Sequence, residues 1–181
     1  HKAWDKTRVS ICMAFPDIYD IGMSHLGTKI IYSLLNGNDD IVCERASSPW
    51  VDMERELRER ELPLLSLESA RPMTDFDAIG ISLQYEMTYT NVLNLLDLAG
   101  IPLRSEDRGD AWPLVLGGGP TCTHPEPMAP FFDAFLVGDA EEILPRTLLN
   151  LADWRDEGCS RRDVLTRLAA MGGWYCPALY A

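Results

Sequence analysis

Basic side chains are scarce in this 181-residue sequence: 16 Lys and Arg against 28 Asp and Glu leave a net charge of −12. A chain so short of positive charge offers no patch for a phosphate backbone, which argues against nucleic acid as a direct partner. No apolar run approaches the roughly 20 residues that cross a bilayer, and no signal-peptide pattern opens the chain. Neither the Gly-x-Gly-x-x-Gly turn nor the Gly-Lys-Ser/Thr of a phosphate loop occurs, so dinucleotide and nucleoside-triphosphate binding are disfavoured. Internal repeats and low-complexity stretches are missing too. The five cysteines (Cys12, Cys43, Cys122, Cys159 and Cys176) are scattered and nowhere form Cys-x-x-Cys. A disulfide framework or a four-cysteine zinc site is therefore not expected, and a reducing, cytoplasmic setting is. The sequence opens on His1 without a Met and reads as a piece of a longer protein.

What is present specifies a fold. Some 46% of the residues are apolar, and this length suits one domain that buries about 70% of its unfolded surface. Val9-Ser10-Ile11-Cys12-Met13-Ala14-Phe15, stopped by Pro16, reads as a strand buried on both faces. Leu26, Ile30, Ile31, Leu34 and Leu35 then recur at helical spacing up to Asn36-Gly37. Residues 41–46 read as a second strand, followed by a helix with Trp50, Met53 and Leu57 as its apolar stripe. Short strands are expected at 64–67 and around Leu103. Ala78-Ile79-Gly80-Ile81-Ser82-Leu83 is a further strand, with a helix through Val92, Leu93, Leu96 and Leu98 behind it. Leu114-Val115-Leu116 and Ala134-Phe135-Leu136-Val137 complete the strands, before helices near 140–154 and 161–170 and an extended segment over 174–179. This alternation predicts an α/β fold, a Rossmann-like (flavodoxin-like), open, mainly parallel sheet with helices on both faces.

Such sheets bind ligands at the carboxyl ends of their strands, near a topological switch point. The candidate loops are residues 16–22, 83–88, 117–126 and 138–142. Gly117, Gly118 and Gly119 follow a buried strand and let the backbone approach a bulky ligand, or simply make a tight exit. Cys122, His124 and Glu126 point to one side if extended, as a metal set or a thiol with a base; alternatively Pro125 and Pro127 shape a rigid loop. Asp20 or Ser24 is the expected cap of the first long helix, with Asp17 at its N-terminal end and His25 packed on it. The pair Asp17 and Asp20 does not make a receiver domain, because later strand ends lack the acceptor aspartate and the following lysine. Gln84 and Tyr85 are placed to bond a ligand edge or the local backbone. Asp139, Glu141 and Glu142 suit a helix start.

Four segments together carry a resemblance. They are Phe15-Pro16-Asp17-Ile18-Tyr19-Asp20-Ile21-Gly22-Met23-Ser24-His25-Leu26-Gly27, Ser82-Leu83-Gln84-Tyr85-Glu86, Gly117-Gly118-Gly119-Pro120 with Pro125-Glu126-Pro127, and Val137-Gly138-Asp139-Ala140-Glu141-Glu142. Over nearly its whole length the chain resembles the N-terminal, cobalamin-binding-type region of radical SAM iron–sulfur oxidoreductases. The resemblance implies a corrin over the strand ends and a nucleotide tail entering the sheet edge. Gly117-Gly118 matches the glycine loop of cobalamin domains, and Ser82-Leu83 resembles their Ser-x-Leu loop without its middle residue. Their Asp-x-His-x-x-Gly loop, whose histidine ligates cobalt, is absent, and His25 lies at another spacing. The implied cofactor-binding residues are Pro16, Asp17, Tyr19, Gly22, Ser82, Leu83, Gln84, Tyr85, Gly117, Gly118, Gly119 and Thr121, with no protein ligand to a metal. The Cys-x-x-x-Cys-x-x-Cys loop of a radical SAM cluster is absent from this chain. The 4Fe-4S cluster and S-adenosylmethionine would therefore sit in a C-terminal barrel beyond Ala181, and this chain alone would turn nothing over. Residues 1–158 would form the cobalamin-type domain, with 159–181 leading towards that barrel. The runner-up is a cofactor-free interaction domain packed on the barrel, and a third reading is an enzyme built on Cys122 and His124.

Overall fold

A computed structural model describes residues 2 and 4–180. Five parallel strands, β1 (Val9–Phe15), β2 (Ile41–Ser47), β3 (Ala78–Ser82), β4 (Leu114–Gly118) and β5 (Ala134–Leu136), join a short antiparallel β6 (Trp174–Tyr175). The order is β2-β1-β3-β4-β5-β6. The chain steps from β1 outward to β2 and then back past β1 to β3, so the switch point lies between β1 and β3. This order is flavodoxin-like, and the open, mainly parallel sheet is the one expected from the sequence.

Helices cover both faces because the strands are apolar on both. α2 (Leu26–Gly37), α5 (Ala140–Asp156) and α6 (Arg161–Ala170) pack on the side of Ile11, Met13, Leu116 and Leu136. α3 (Val51–Glu59) and α4 (Tyr89–Leu98) pack on the side of Cys12, Ile79, Val115 and Phe135. A single helical turn, α1 (Tyr19–Gly22), bridges β1 and α2.

Several local expectations are corrected. Residues 64–67 make only an isolated bridge, Leu65 to Pro72, because this segment runs along the β2 edge, where Leu67 N–H donates to Arg45 O at 2.8 Å. Arg45 in turn gives its N–H and its Nε to Glu68 at 2.7 Å. The loop thereby covers an edge that would otherwise expose unpaired backbone. Leu103 lies in a loop before a 3-10 turn at Ser105–Asp107. The 174–179 segment is a two-residue strand followed by a 3-10 turn at Pro177–Leu179, where Pro177 cannot extend the ladder. On α3 only Leu57 is buried, and Trp50 and Met53 face solvent.

The residues after 158 pack on the sheet. Val164, Leu165 and Leu168 of α6, with Trp174 and Cys176, belong to the same core as α2 and α5. Below the sheet, Asp133 is buried between Arg108 (3.2 Å) and Arg161 (2.7 Å) and also accepts from Val115 N–H at 2.7 Å. Both guanidiniums donate further to main-chain carbonyls: Arg108 to Pro102, Leu103 and Phe131, Arg161 to Gly109, Trp112 and Pro113. With all its partners satisfied, this cluster fastens α6 to the feet of β4 and β5.

Candidate functional site

At the carboxyl edge, between the first turns of α2 and α5, a cavity of about 210 Å³ opens above the sheet. Its existence follows from small residues on one face. β3 offers Gly80 and Ser82 there, β4 offers Gly118, and the register sets Ser82 beside Gly118. A Cβ on Gly118 would meet nothing within 4 Å. Met13, Ile31, Leu116, Leu136, Leu144 and Trp174 supply the apolar wall. The Trp174 indole is oriented by its N–H bond to Thr147 Oγ1 at 3.0 Å.

Backbone bonds lock the loops that frame the opening. Leu83 N–H donates to Gly118 O at 2.7 Å, and Leu83 O accepts from Thr121 N–H and Thr121 Oγ1. Gly119 crosses this seam at φ +113°, and a Cβ there would lie 2.6 Å from Leu83 O. Only glycine fits that position. Gln84 Nε2 donates to Ser82 Oγ at 2.7 Å, which leaves the amide oxygen of Gln84 as an acceptor at the rim.

The remaining rim comes from the two helix starts. His25, not Asp20 or Ser24, caps α2: its Nδ1 accepts from Thr28 N–H at 3.1 Å and lies 2.9 Å from Thr28 Oγ1. Ser24 Oγ instead donates to Ile21 O. Gly138 turns the chain at φ +130° into α5, whose Asp139 and Glu141 reach the rim. Pro145 has no N–H for the Glu141 carbonyl one turn back, which leaves a main-chain acceptor near the opening. The cavity wall carries these two carboxylates and neither Lys nor Arg. Its character is apolar below, accepting and acidic at the mouth.

Of the twelve residues proposed from sequence, Ser82, Gln84, Gly117, Gly118 and Gly119 line this cavity. The other seven do not. Tyr19 and Gly22 line a separate hollow of about 70 Å³ with Tyr32 and Arg45. Leu83 is buried on the opposite face, and the Thr121 hydroxyl is engaged by Leu83 O. Pro16 and Asp17 tie loops together: Pro16 O accepts from Asn91, Asp17 O from Ser48 N–H, and Asp17 Oδ2 lies 3.5 Å from the Tyr85 hydroxyl. Sequence reading missed Met13, His25, Thr28, Gly80 and Trp174 as wall residues; the only available signal was that two helices start at the same sheet edge. Cys122, His124 and Glu126 do not converge. A 3-10 turn over Pro120–Thr123 buries Cys122 in the core, pushing its thiol up to about 12, while Glu126 accepts from Tyr175 Oη at 2.6 Å. Among the described residues no three His, Cys, Asp or Glu side chains come together to hold a metal ion.

The family model for the N-terminal region of radical SAM proteins matches residues 27–177. The chain belongs to this family. No curated protein matches the chain. Among solved structures, the radical S-adenosylmethionine methyltransferase TsrM from Kitasatospora setae, bound to tryptophan substrate and a SAM analogue (aza-SAM), is similar over 82% of this chain. The identity is 13% and the TM-score 0.48, and the match spans 26% of that enzyme's length. In this radical SAM N-terminal domain no helix among the described residues is long and apolar enough to cross a membrane.

Proposed function

We propose that this radical SAM N-terminal domain is a cobalamin-binding module that presents a corrin to a C-terminal iron–sulfur/SAM barrel of the same parent protein. The observation that carries this reading is the glycine-floored cavity at the carboxyl edge, beside the switch point. Its residues suit the buried limb of a cobalamin. The Ser82 and Gly118 floor leaves room for a ligand ring, the Met13, Leu116 and Leu136 wall would exclude water from it, and Ser82 and Gln84 would give it polar partners. With no basic side chain on the wall and two carboxylates at the mouth, the phosphate of a nucleotide tail would stay outside in solvent. His25 Nδ1 is committed to the helix cap, and no described residue is assigned to cobalt. A bound cobalamin would supply methyl-transfer or redox chemistry, while this chain would orient it and exclude water from the part that enters the cavity. Five unpaired thiols suit a reducing compartment, the cytoplasm.

The test is a titration of the domain with hydroxocobalamin and methylcobalamin, followed by absorbance and calorimetry. Saturable binding is expected, weakened about tenfold or more (about 1.4 kcal/mol) by Gly118→Leu without loss of folding. Blank titrations of both the domain and the full-length parent would overturn the assignment. A second reading, a cofactor-free interaction domain, draws support from the exposed apolar side chains along the same edge.

A further inference from the structure

The carboxyl edge carries a second feature, outside the cavity. Over the ends of β1, β2 and β3, large apolar side chains stand in solvent: Met87 is 85% exposed, Val51 68% and Trp50 62%, with Tyr19, Ile21 and Tyr85 about half exposed. None of the six lines the cavity. They come from three segments that the structure ties together. Ser48 N–H, ahead of Trp50, donates to Phe15 O and Asp17 O. The Tyr85 hydroxyl approaches Asp17, and Asn91 Nδ2 donates to Pro16 O at 3.0 Å. Further along, α3 and α4 are fastened side by side through Glu54, Arg58, Asn94 and Asp97. The apolar groups therefore sit on a firm base.

An exposed cluster of Trp, Tyr, Met and Val is costly to leave wet, and its composition is that of an interface core. Its own three segments are acidic, while Lys29 and Arg45 lie across a small hollow from Tyr19. Residues 16–24, 48–53 and 84–90 contain Asp17, Asp20, Asp52 and Glu86 and not one Lys or Arg. The opposite, amino edge differs: there Arg8 pairs with Asp153 and Arg155 with Asp77. One edge exposes apolar groups with carboxylates among them, and the other carries ion pairs.

We propose that this rim is a direct protein–protein docking surface for the radical SAM domain of the parent, which meets it with an apolar patch fringed by Lys or Arg. The family supplies the occupant, since its members are the N-terminal parts of radical SAM proteins. The inference rests on that parent architecture but not on the cofactor. Because the rim and the cavity share no residue among these six, docking occurs whether or not cobalamin is bound.

The test is hydrogen exchange on the full-length parent, cobalamin-free and cobalamin-loaded, compared with this domain alone over a range of concentrations. Amides of residues 19–22, 50–53 and 85–88 should exchange at least about tenfold more slowly in the parent, with and without cobalamin. Those around Asp77 and Arg155 should be unchanged. A parent carrying Trp50→Ser and Met87→Ser should lose the protection at 19–22, although both side chains are exposed and the domain still folds. Protection that requires cobalamin would overturn the proposal, as would protection elsewhere. The same protection in the isolated domain, rising with concentration, would assign the rim to a second copy instead. A blank cobalamin titration with the rim protected would sink the cofactor reading alone.

Discussion

Four residues show how narrowly this chain depends on single atoms. Gly118 and Gly119 are neighbours with opposite tolerances. Gly119→Ala meets both a positive φ and the Leu83 carbonyl, and should cost about 2 kcal/mol or more in urea unfolding. Gly118→Ala meets open space and should leave the urea midpoint nearly unchanged. Asp133→Asn removes the one charge that balances two enclosed guanidiniums, and should destabilise by about 3–5 kcal/mol. Glu44 gives the pH dependence. Burial would raise its pKa, but bonds from Ser66 Oγ, Trp4 Nε1, Ser69 Oγ and Ser69 N–H outweigh that and hold it below the ordinary 4.5. A folded pKa below the unfolded one contributes stability above the unfolded value, which is lost as pH falls through the folded value. The stability difference between wild type and Glu44→Gln should therefore be largest above pH 4.5 and shrink below it, as read from unfolding midpoints across an acid series.

Among the elements, legibility followed the source of the signal. β1 was read with its observed bounds because all seven of its side chains are buried and Pro16 ends the run. α6 was equally plain, since Ser160 and Asp163 form a capping box and Gly172 follows its end. Segments whose pairing depends on a distant partner were misread: 64–67 looks like a strand yet serves as the cover of β2. The α3 stripe of Trp50 and Met53 has helical spacing, but a helix presents such a stripe equally to a core or to a partner. Half of the cavity was hidden for a related reason. His25 carries no cap signature, and the placing of Gly80 on the same face as Ser82 and Gly118 is a matter of register rather than of motif. The C-terminal elements carry their own prediction. Ending the chain at residue 158 strips Leu168 and Trp174 from the core and Arg161 from Asp133. That shortened chain should show no cooperative thermal transition, whereas Ser160→Ala in the full domain should cost only about 1 kcal/mol.

As a whole, the molecule divides its surface by edge. The amino edge is closed by ion pairs and by the buried Asp133 cluster, and the carboxyl edge holds the cavity and the apolar rim. Two core clusters lie on either side of one sheet and share its strands, so they should unfold together. Far-UV circular dichroism and tryptophan fluorescence should trace coincident urea transitions, and separated ones would contradict a single cooperative unit.

The Asp133 cluster also has a consequence for synthesis. Its carboxylate enters the chain well before Arg161, and β5 gains its outer neighbour only when Trp174 and Tyr175 arrive. Until then Asp133 has Arg108 but not Arg161 to bind it, at the foot of an unfinished sheet. The domain cannot close strand by strand as it leaves the ribosome. It must wait for its last helix, exposing β1 to β5 meanwhile to whatever chaperones attend the exit.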